Sequence, residues 1–298
     1  VLTAESCAGL RGGDLLSSSL GRRRTPAANR RKGEHEELTV ATGKFMIRCD
    51  IEGTSGVVSY DQAEPGKGEY EFGLRMFRSD LCACLDGLIQ GGAGEIVIYD
   101  EHYYGRNIDP AWLPAGVSAI TGKPPYRPDW AGGLDASFAG LILLGLHSKY
   151  GTPGGLLPHT YELDIRELRL NGISIGEIGM ETAIAGDCGV PLVLVTGDSA
   201  GCAEAAALVP GVRTVAVKEA LGATGGRCLP LATTAARIRD AAREVATSVP
   251  ETRPWRCGPN VTLEVRLNPG PYADAVRKLY GSDLNAEGDL VLRGPSAN

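Results

Sequence analysis

The sequence predicts an α/β layered domain with a mainly parallel central sheet, followed by a small C-terminal α+β subdomain. Three observations predict it. From Phe45 onward, short apolar runs alternate with helical patterns, in the order strand–helix–strand–strand–helix–strand. The chain has 298 residues, 43% of them hydrophobic, enough to bury one large core. Its 41 glycines suggest many tight loops between short elements.

Phe45 to Cys49 reads as a buried strand. Glu69 to Gln90 is amphipathic, with Phe77, Leu81, Leu85, Leu88 and Ile89 at helical spacing, and Gly91-Gly92 end it. Ile96 to Tyr99 and Leu141 to Leu146 are the next strands. Leu168 to Leu170 reads as an edge or hairpin strand, with Asn171-Gly172 as its turn. Glu177 to Cys188 reads as a helix stopped by Gly189 and Pro191. Leu192 to Thr196 and Val212 to Val217 are strand-like, and Ala200 to Leu208 and Thr233 to Thr247 are helical. Pro250 to Pro259 reads as a linker. A strand, Val261 to Leu267, and a helix, Tyr272 to Leu279, follow it.

The pattern divides the chain into residues 1–44, 45–249 and 250–298. The first segment holds Ser17-Ser18-Ser19, Arg22-Arg23-Arg24 and Arg30-Arg31-Lys32 with little hydrophobic period, and reads as a disordered extension. A coding start placed ahead of Met46 explains it more simply than a transit peptide, which Asp14 and the acidic run at Glu34 to Glu37 argue against.

The net charge of −6 sets a nucleic-acid partner low, since such binders usually present a basic face. No run approaches the ~20 apolar residues of a membrane span, so no membrane partner is expected. The eight cysteines lie mostly in apolar or helical stretches, and Cys82 and Cys84 are two apart rather than in a C-x-x-C pair. They read as reduced core residues of a cytoplasmic protein.

Three apolar strands end in groups able to bind metal: Asp50-Ile51-Glu52-Gly53, Asp100-Glu101-His102, and His147. Open α/β sheets form their sites outside the carboxyl ends of strands. Asp50 and Glu52, two apart, point to one side of an extended backbone. Of only four histidines, His35 falls in the first segment, while His102, His147 and His159 all lie at loop junctions. One loop histidine is ordinarily a surface residue; three with flanking carboxylates favour a metal centre. Zinc suits such mixed imidazole and carboxylate ligands, although manganese and cobalt do as well.

The motifs resemble those of the DppA-type zinc-dependent D-aminopeptidase family. Asp50-Ile51-Glu52-Gly53-Thr54-Ser55-Gly56 resembles its opening D-x-E-G-x-[ST]-G. Asp100-Glu101-His102 with Asn107 resembles its second motif. Gly145-Leu146-His147, Thr152-Pro153-Gly154 and His159-Thr160 resemble its third, and Asn171-Gly172 with Gly176-Glu177 its fourth. Val215-Ala216-Val217-Lys218 and Cys228-Leu229-Pro230 also fit. The likeness covers Phe45 to Pro230, and more loosely runs to Leu267. The chain departs from the pattern in one added residue between His147 and His159, and in a short stretch after Leu292 where the family continues with a helix.

The resemblance implies that residues 45–249 are a metallopeptidase catalytic domain binding two zinc ions per subunit. Asp50 would bridge them, and Glu52, His102, His147 and Glu177 would complete their shells. Three carboxylates against four metal charges leave residual positive charge that favours an activated water. His159 would be catalytic, as a proton shuttle or oxyanion stabiliser. It also implies a short-peptide substrate with D-residue preference, and a homo-oligomer of the self-enclosing ring kind. Asn107 and Lys218 are candidate substrate contacts, with holding a loop near His102 the alternative for Asn107 and a surface lysine the plain alternative for Lys218. Glu181, one helical turn after Glu177, is either a supporting carboxylate or a surface acid. Asp198 reads as a helix N-cap. Two other functions fit the same residues: a metal-dependent amidase or deacylase on non-peptide amides, and a non-catalytic protein whose metal is structural.

Overall fold

The computed structural model describes residues 43–298, apart from 126 and 128. The expected disordered extension thus lies, up to residue 42, outside the described residues. Among the described residues eleven strands occur in chain order: β1 Lys44–Cys49, β2 Glu95–Asp100, β3 Val117–Ile120, β4 Phe138–Leu146, β5 Ile165–Leu170, β6 Ile173–Ile175, β7 Leu192–Asp198, β8 Arg213–Ala220, β9 Gly226–Cys228, β10 Val261–Leu267 and β11 Leu290–Gly294. The helices are α1 Tyr70–Gln90, α2 Glu177–Asp187, α3 Ser199–Leu208, α4 Leu231–Thr247 and α5 Pro271–Leu279. The main sheet has seven strands in the order β3-β2-β1-β4-β7-β8-β9, parallel except for the β8–β9 pair.

Alternating side chains on its inner strands enter two cores, as the two-residue period requires. Phe45, Ile47, Ile142 and Leu144 face one core with Leu81, Leu85 and Leu88 of α1 and Ile238, Ala242 and Val245 of α4. Met46, Leu141, Leu143 and Val195 face the other, with Ile178 and Ala185 of α2 and Ala205 of α3. Strands covered on both faces read as apolar runs, which is why these were legible. Each fully buried Leu or Ile contributes about 1.5–3 kcal/mol by leaving water.

The second, small sheet belongs to the smaller α+β part that the sequence predicts, but it draws on more of the chain. It is antiparallel, in the order β11-β10-β5-β6, so half of it comes from the middle of the chain. Residues 250–298 are therefore not self-contained: β10 needs β5 to complete its hydrogen bonds. β5 is an inner strand, paired on both sides, and its hairpin to β6 turns through Asn171 and Gly172, both at positive φ. The expected linker is docked as well. Thr252 Oγ1 donates to the Leu192 carbonyl at 2.9 Å, and the Trp255 backbone lies so close to Gly186 that a Cβ there would sit 2.0 Å from its oxygen. Among the described residues no helix is long and apolar enough to cross a membrane.

The topology decides where a site can form. From β1 the chain steps to β2 and β3 on one side, then returns to β4 on the other. Such a reversal opens a crevice at the strands' carboxyl ends. Asp50 follows β1 there, His102 follows β2, and His147 follows β4.

Candidate metal centre

Past Cys49 the backbone leaves β1 and turns, rather than staying extended as the spacing of Asp50 and Glu52 suggested. The Thr54 amide bonds back to the Ile51 carbonyl at 3.0 Å. The turn is pressed against β4: Asp50 N donates to Leu144 O at 2.9 Å and Gly53 N to Gly145 O at 2.7 Å. No side chain fits between. A Cβ on Gly53 would lie 1.9 Å from the Leu146 oxygen, and one on Gly145, whose φ is 75°, 2.2 Å from the Asp50 oxygen.

The five expected ligands converge. Asp50 Oδ1 lies 2.6 Å from His102 Nδ1, and Asp50 Oδ2 lies 3.3 Å from His147 Nε2. Glu52 Oε2 is 3.1 Å from His102 Nδ1, and Glu177 Oε1 is 3.5 Å from His147 Nε2. Two histidine–carboxylate pairs thus share one aspartate. Asp50, Glu52, His102 and His147 are buried, while Glu177 is partly so.

The rear of each ring fixes its chemistry. His102 Nε2 faces the Ala63 carbonyl at 2.7 Å, and His147 Nδ1 faces the Ser148 carbonyl at 3.0 Å. A carbonyl oxygen only accepts, so those nitrogens carry the protons. The front nitrogens then meet two carboxylates each, a contact that needs either a further proton or a cation. Burial pulls His147 down, but Glu177 and Asp50, with Glu52, push it up to about 10. His102 is likewise raised well above its ordinary value against burial, first by Glu52 and then by Asp50. Burial also opposes ionisation of Asp50, but the facing imidazoles of His102 and His147 hold it well below the usual range. Glu52 Oε2 and His147 Nε2 are nevertheless buried without a hydrogen bond. An unsatisfied imidazole nitrogen and an unsatisfied carboxylate oxygen, among backbone-anchored rings and further carboxylates, fit a divalent cation. Ligand atoms of Asp50, Glu52 and His147, and of His147, His159 and Glu177, cluster within 4.8 Å.

His159 joins this cluster. Its ring stacks on that of His147 with centroids 4.0 Å apart and planes 9° from parallel. Its Nδ1 faces the Leu157 carbonyl at 2.9 Å, which leaves Nε2 without a proton in the neutral ring. Leu157 and Tyr161 flank it at φ 53° and 56°, a rare conformation for side-chain-bearing residues. His159 lines a cavity of about 540 Å³ together with Asp50, Glu52, His102 and Glu177.

The two expected substrate contacts lie elsewhere. Asn107 is buried outside that cavity wall. It receives hydrogen bonding from Tyr70 and donates Nδ2 to Asp100 Oδ1 at 2.8 Å and to the His102 carbonyl at 2.9 Å. It therefore braces the loop that carries His102. Lys218 is neither a surface lysine nor a cavity charge. It is buried, and its ammonium donates to the carbonyls of Glu52, Thr54 and Val57 at 2.5–2.7 Å. Burial lowers its pKa to about 8. Lys218→Met should leave three buried carbonyls unpaired, lowering stability by roughly 3 kcal/mol or more and weakening metal affinity through Glu52. Denaturant midpoints measure this; a change below about 1 kcal/mol would mean the turn holds without its clamp.

Asp198 does cap α3, accepting from the amides of Ala200 and Gly201. Glu181 is buried rather than a surface acid. Its carboxylate pairs with Arg48, and its Oε1 accepts from the Tyr161 hydroxyl at 3.2 Å. Arg48, Glu101 and Tyr161 were not singled out beforehand. Arg48 had a signal: a charge inside the otherwise apolar β1 needs a buried partner.

This arrangement, at the switch point of an α/β sheet, is that of a metal-dependent hydrolase. The chain belongs to the D-aminopeptidase family, Peptidase_M55, whose pattern matches residues 44–294. A D-aminopeptidase of Bacillus subtilis (strain 168) is 30% identical over 188 residues, which cover 62% of this chain and 67% of that one. A solved structure, described as the Zn-dependent D-aminopeptidase DppA from Bacillus subtilis, a self-compartmentalizing protease, superposes with a TM-score of 0.78. It is 24% identical and covers 85% of this chain and 92% of its own, a likeness of fold.

Proposed function

We propose that this chain is a two-zinc aminopeptidase that removes an N-terminal D-residue from short peptides. The observation that carries the reading is the shared Asp50, set between two imidazoles whose proton-bearing nitrogens are turned away onto backbone carbonyls. Family membership supports the D-peptide substrate, and the zinc named for the Bacillus subtilis structure supports the metal. Asp50, with His102 and Glu52 on one side and His147 and Glu177 on the other, would hold the zinc. Zinc bound there supplies Lewis acidity toward the scissile carbonyl and makes water a nucleophile near neutral pH. His159, with Nδ1 held by the Leu157 carbonyl, takes and returns a proton at Nε2.

The self-compartmentalizing assembly of that structure supports a homo-oligomer here, of ring form. A cytoplasmic location is supported by the setting of the cysteines, which lie mostly in apolar or helical stretches of the sequence.

Metal removal and return test the reading. Metal-free protein should take up two zinc ions per chain and regain hydrolysis of D-alanyl peptides. The surrounding carboxylates favour a second proton on both rings, so metal uptake should release protons and strengthen as pH rises, toward about 10 for His147. Calorimetry in buffers of different ionisation heat reads the release. Turnover of acylated amines but not of peptides would replace this reading with the deacylase one.

A further inference from the structure

The turn that carries Asp50 and Glu52 is gripped from behind by a buried acid outside the metal centre. Asp80 stands in the middle of α1, on the face that buries Phe77, Leu81 and Cys84, and is itself 0% exposed. Its two oxygens take both donors of a single residue. Oδ2 accepts from the Ser55 amide and Oδ1 from the Ser55 hydroxyl, each at 2.8 Å. Thr234 Oγ1, on α4, lies 2.8 Å from the same Ser55 oxygen. Ser55 is also buried, so these bonds form away from bulk solvent.

A carboxylate at this place is unfavourable by itself. Aspartate is a poor residue for a helix interior. Burial penalises its charge and raises its pKa to about 6. An apolar side chain of similar size would fill the space without that penalty, so packing does not account for Asp80.

Its partner across the turn does. Lys218 donates to the Thr54 carbonyl at 2.7 Å, and Asp80 accepts from the Ser55 amide. That oxygen and that N–H belong to one peptide group. The Thr54–Ser55 peptide is therefore held at its negative end by an ammonium and at its positive end by a carboxylate. Turning it over would point the carbonyl at Asp80 and the N–H at Lys218, which both charges oppose. The same ammonium also holds the carbonyls of Glu52 and Val57, so the orientation of this one peptide is carried back to Glu52.

We propose that Asp80 is a positioning residue for the metal centre: with Lys218 it locks the Thr54–Ser55 peptide group, and so the turn, in the orientation that presents Glu52 and Asp50 to the cation. The proposal rests on the metal reading of the site. Asp80 touches neither metal nor substrate, and acts through Ser55.

The test reads the zinc affinity of the full chain, by competition with a chromophoric chelator, beside the unfolding midpoint of the zinc-free protein. Asp80→Ala should weaken zinc binding about 10- to 100-fold. Ser55→Ala, which removes only the hydroxyl, should weaken it about tenfold. Asp80→Asn keeps an acceptor for the Ser55 amide and should recover most of the loss. Turnover lost at limiting zinc should return in excess zinc, since no group that meets the substrate has changed. A merely structural Asp80 would lower the midpoint and leave zinc affinity within about threefold of wild type. That result overturns the proposal, as does turnover that stays lost at saturating zinc. Should Asp80→Ala fail to fold, Ser55→Ala decides by the same affinity. A wild-type chain that binds no zinc removes the metal reading itself; wild type and Asp80→Ala binding it equally well removes this proposal alone.

Discussion

Asp50→Ala is expected to abolish metal binding at both positions and lower turnover by about 10³-fold or more, while the chain still folds. Asp50 meets both imidazoles, through Oδ1 to His102 and Oδ2 to His147. On the proposed two-zinc reading, removing it would take a ligand from each ion and one of three counter-charges from the pair. A loss of about 4 kcal/mol in stabilising the reacting carbonyl corresponds to that factor. The fold should survive because the contacts that shape this corner are backbone ones: Asp50 N to Leu144 O, Gly53 N to Gly145 O, and Lys218 on the carbonyls of the turn. Elemental analysis and circular dichroism on one preparation check both halves. Full zinc content in a folded variant would remove the bridging role.

His159→Ala should do the opposite, keeping the metal and losing about 10²- to 10⁴-fold in turnover. The ring touches His147 face to face, and its position is imposed by the left-handed backbone at Leu157 and Tyr161 rather than by a carboxylate. Conformational strain on both sides of one histidine is the kind retained where a group must sit at a reacting atom. His159 also lies within ligand distance of His147 and Glu177, so the measurement has two distinct outcomes. Unchanged zinc with lost turnover assigns proton transfer. Loss of about one zinc per chain makes His159 a ligand instead, and the proton acceptor must then be sought elsewhere on the cavity wall.

The metal centre was legible because its residues are of unusual type for their places. Carboxylates and histidines directly after apolar strands have few structural uses, and the chain has only four histidines. The strands of the main sheet were legible for a related reason: burial on both faces writes them as continuous apolar runs. β3 and β9, of four and three residues, are too short and too exposed to leave that mark. Asn107 could be read either as a substrate contact or as a brace for the His102 loop, and its bonds fit the brace; the bonds of Lys218 run to backbone carbonyls that its sequence context did not suggest. A polar side chain near a ligand in sequence can face the substrate or hold the backbone, and only its partners tell which.

By itself the sequence determined the layered α/β class, the positions of the long elements and the residues able to bind metal. Those follow from local periodicity and from the chemistry of single side chains, which need no knowledge of what lies across the fold. Tertiary structure alone decided that β5 and β6 join β10 and β11 in one sheet, that Lys218 clamps the turn after β1, and that Arg48 gathers Glu101 and Glu181 beside the metals. Each of these joins groups 53 or more positions apart along the chain. Such pairings are chosen by backbone hydrogen bonding and by the cost of burying a lone charge, and neither leaves a local pattern to read.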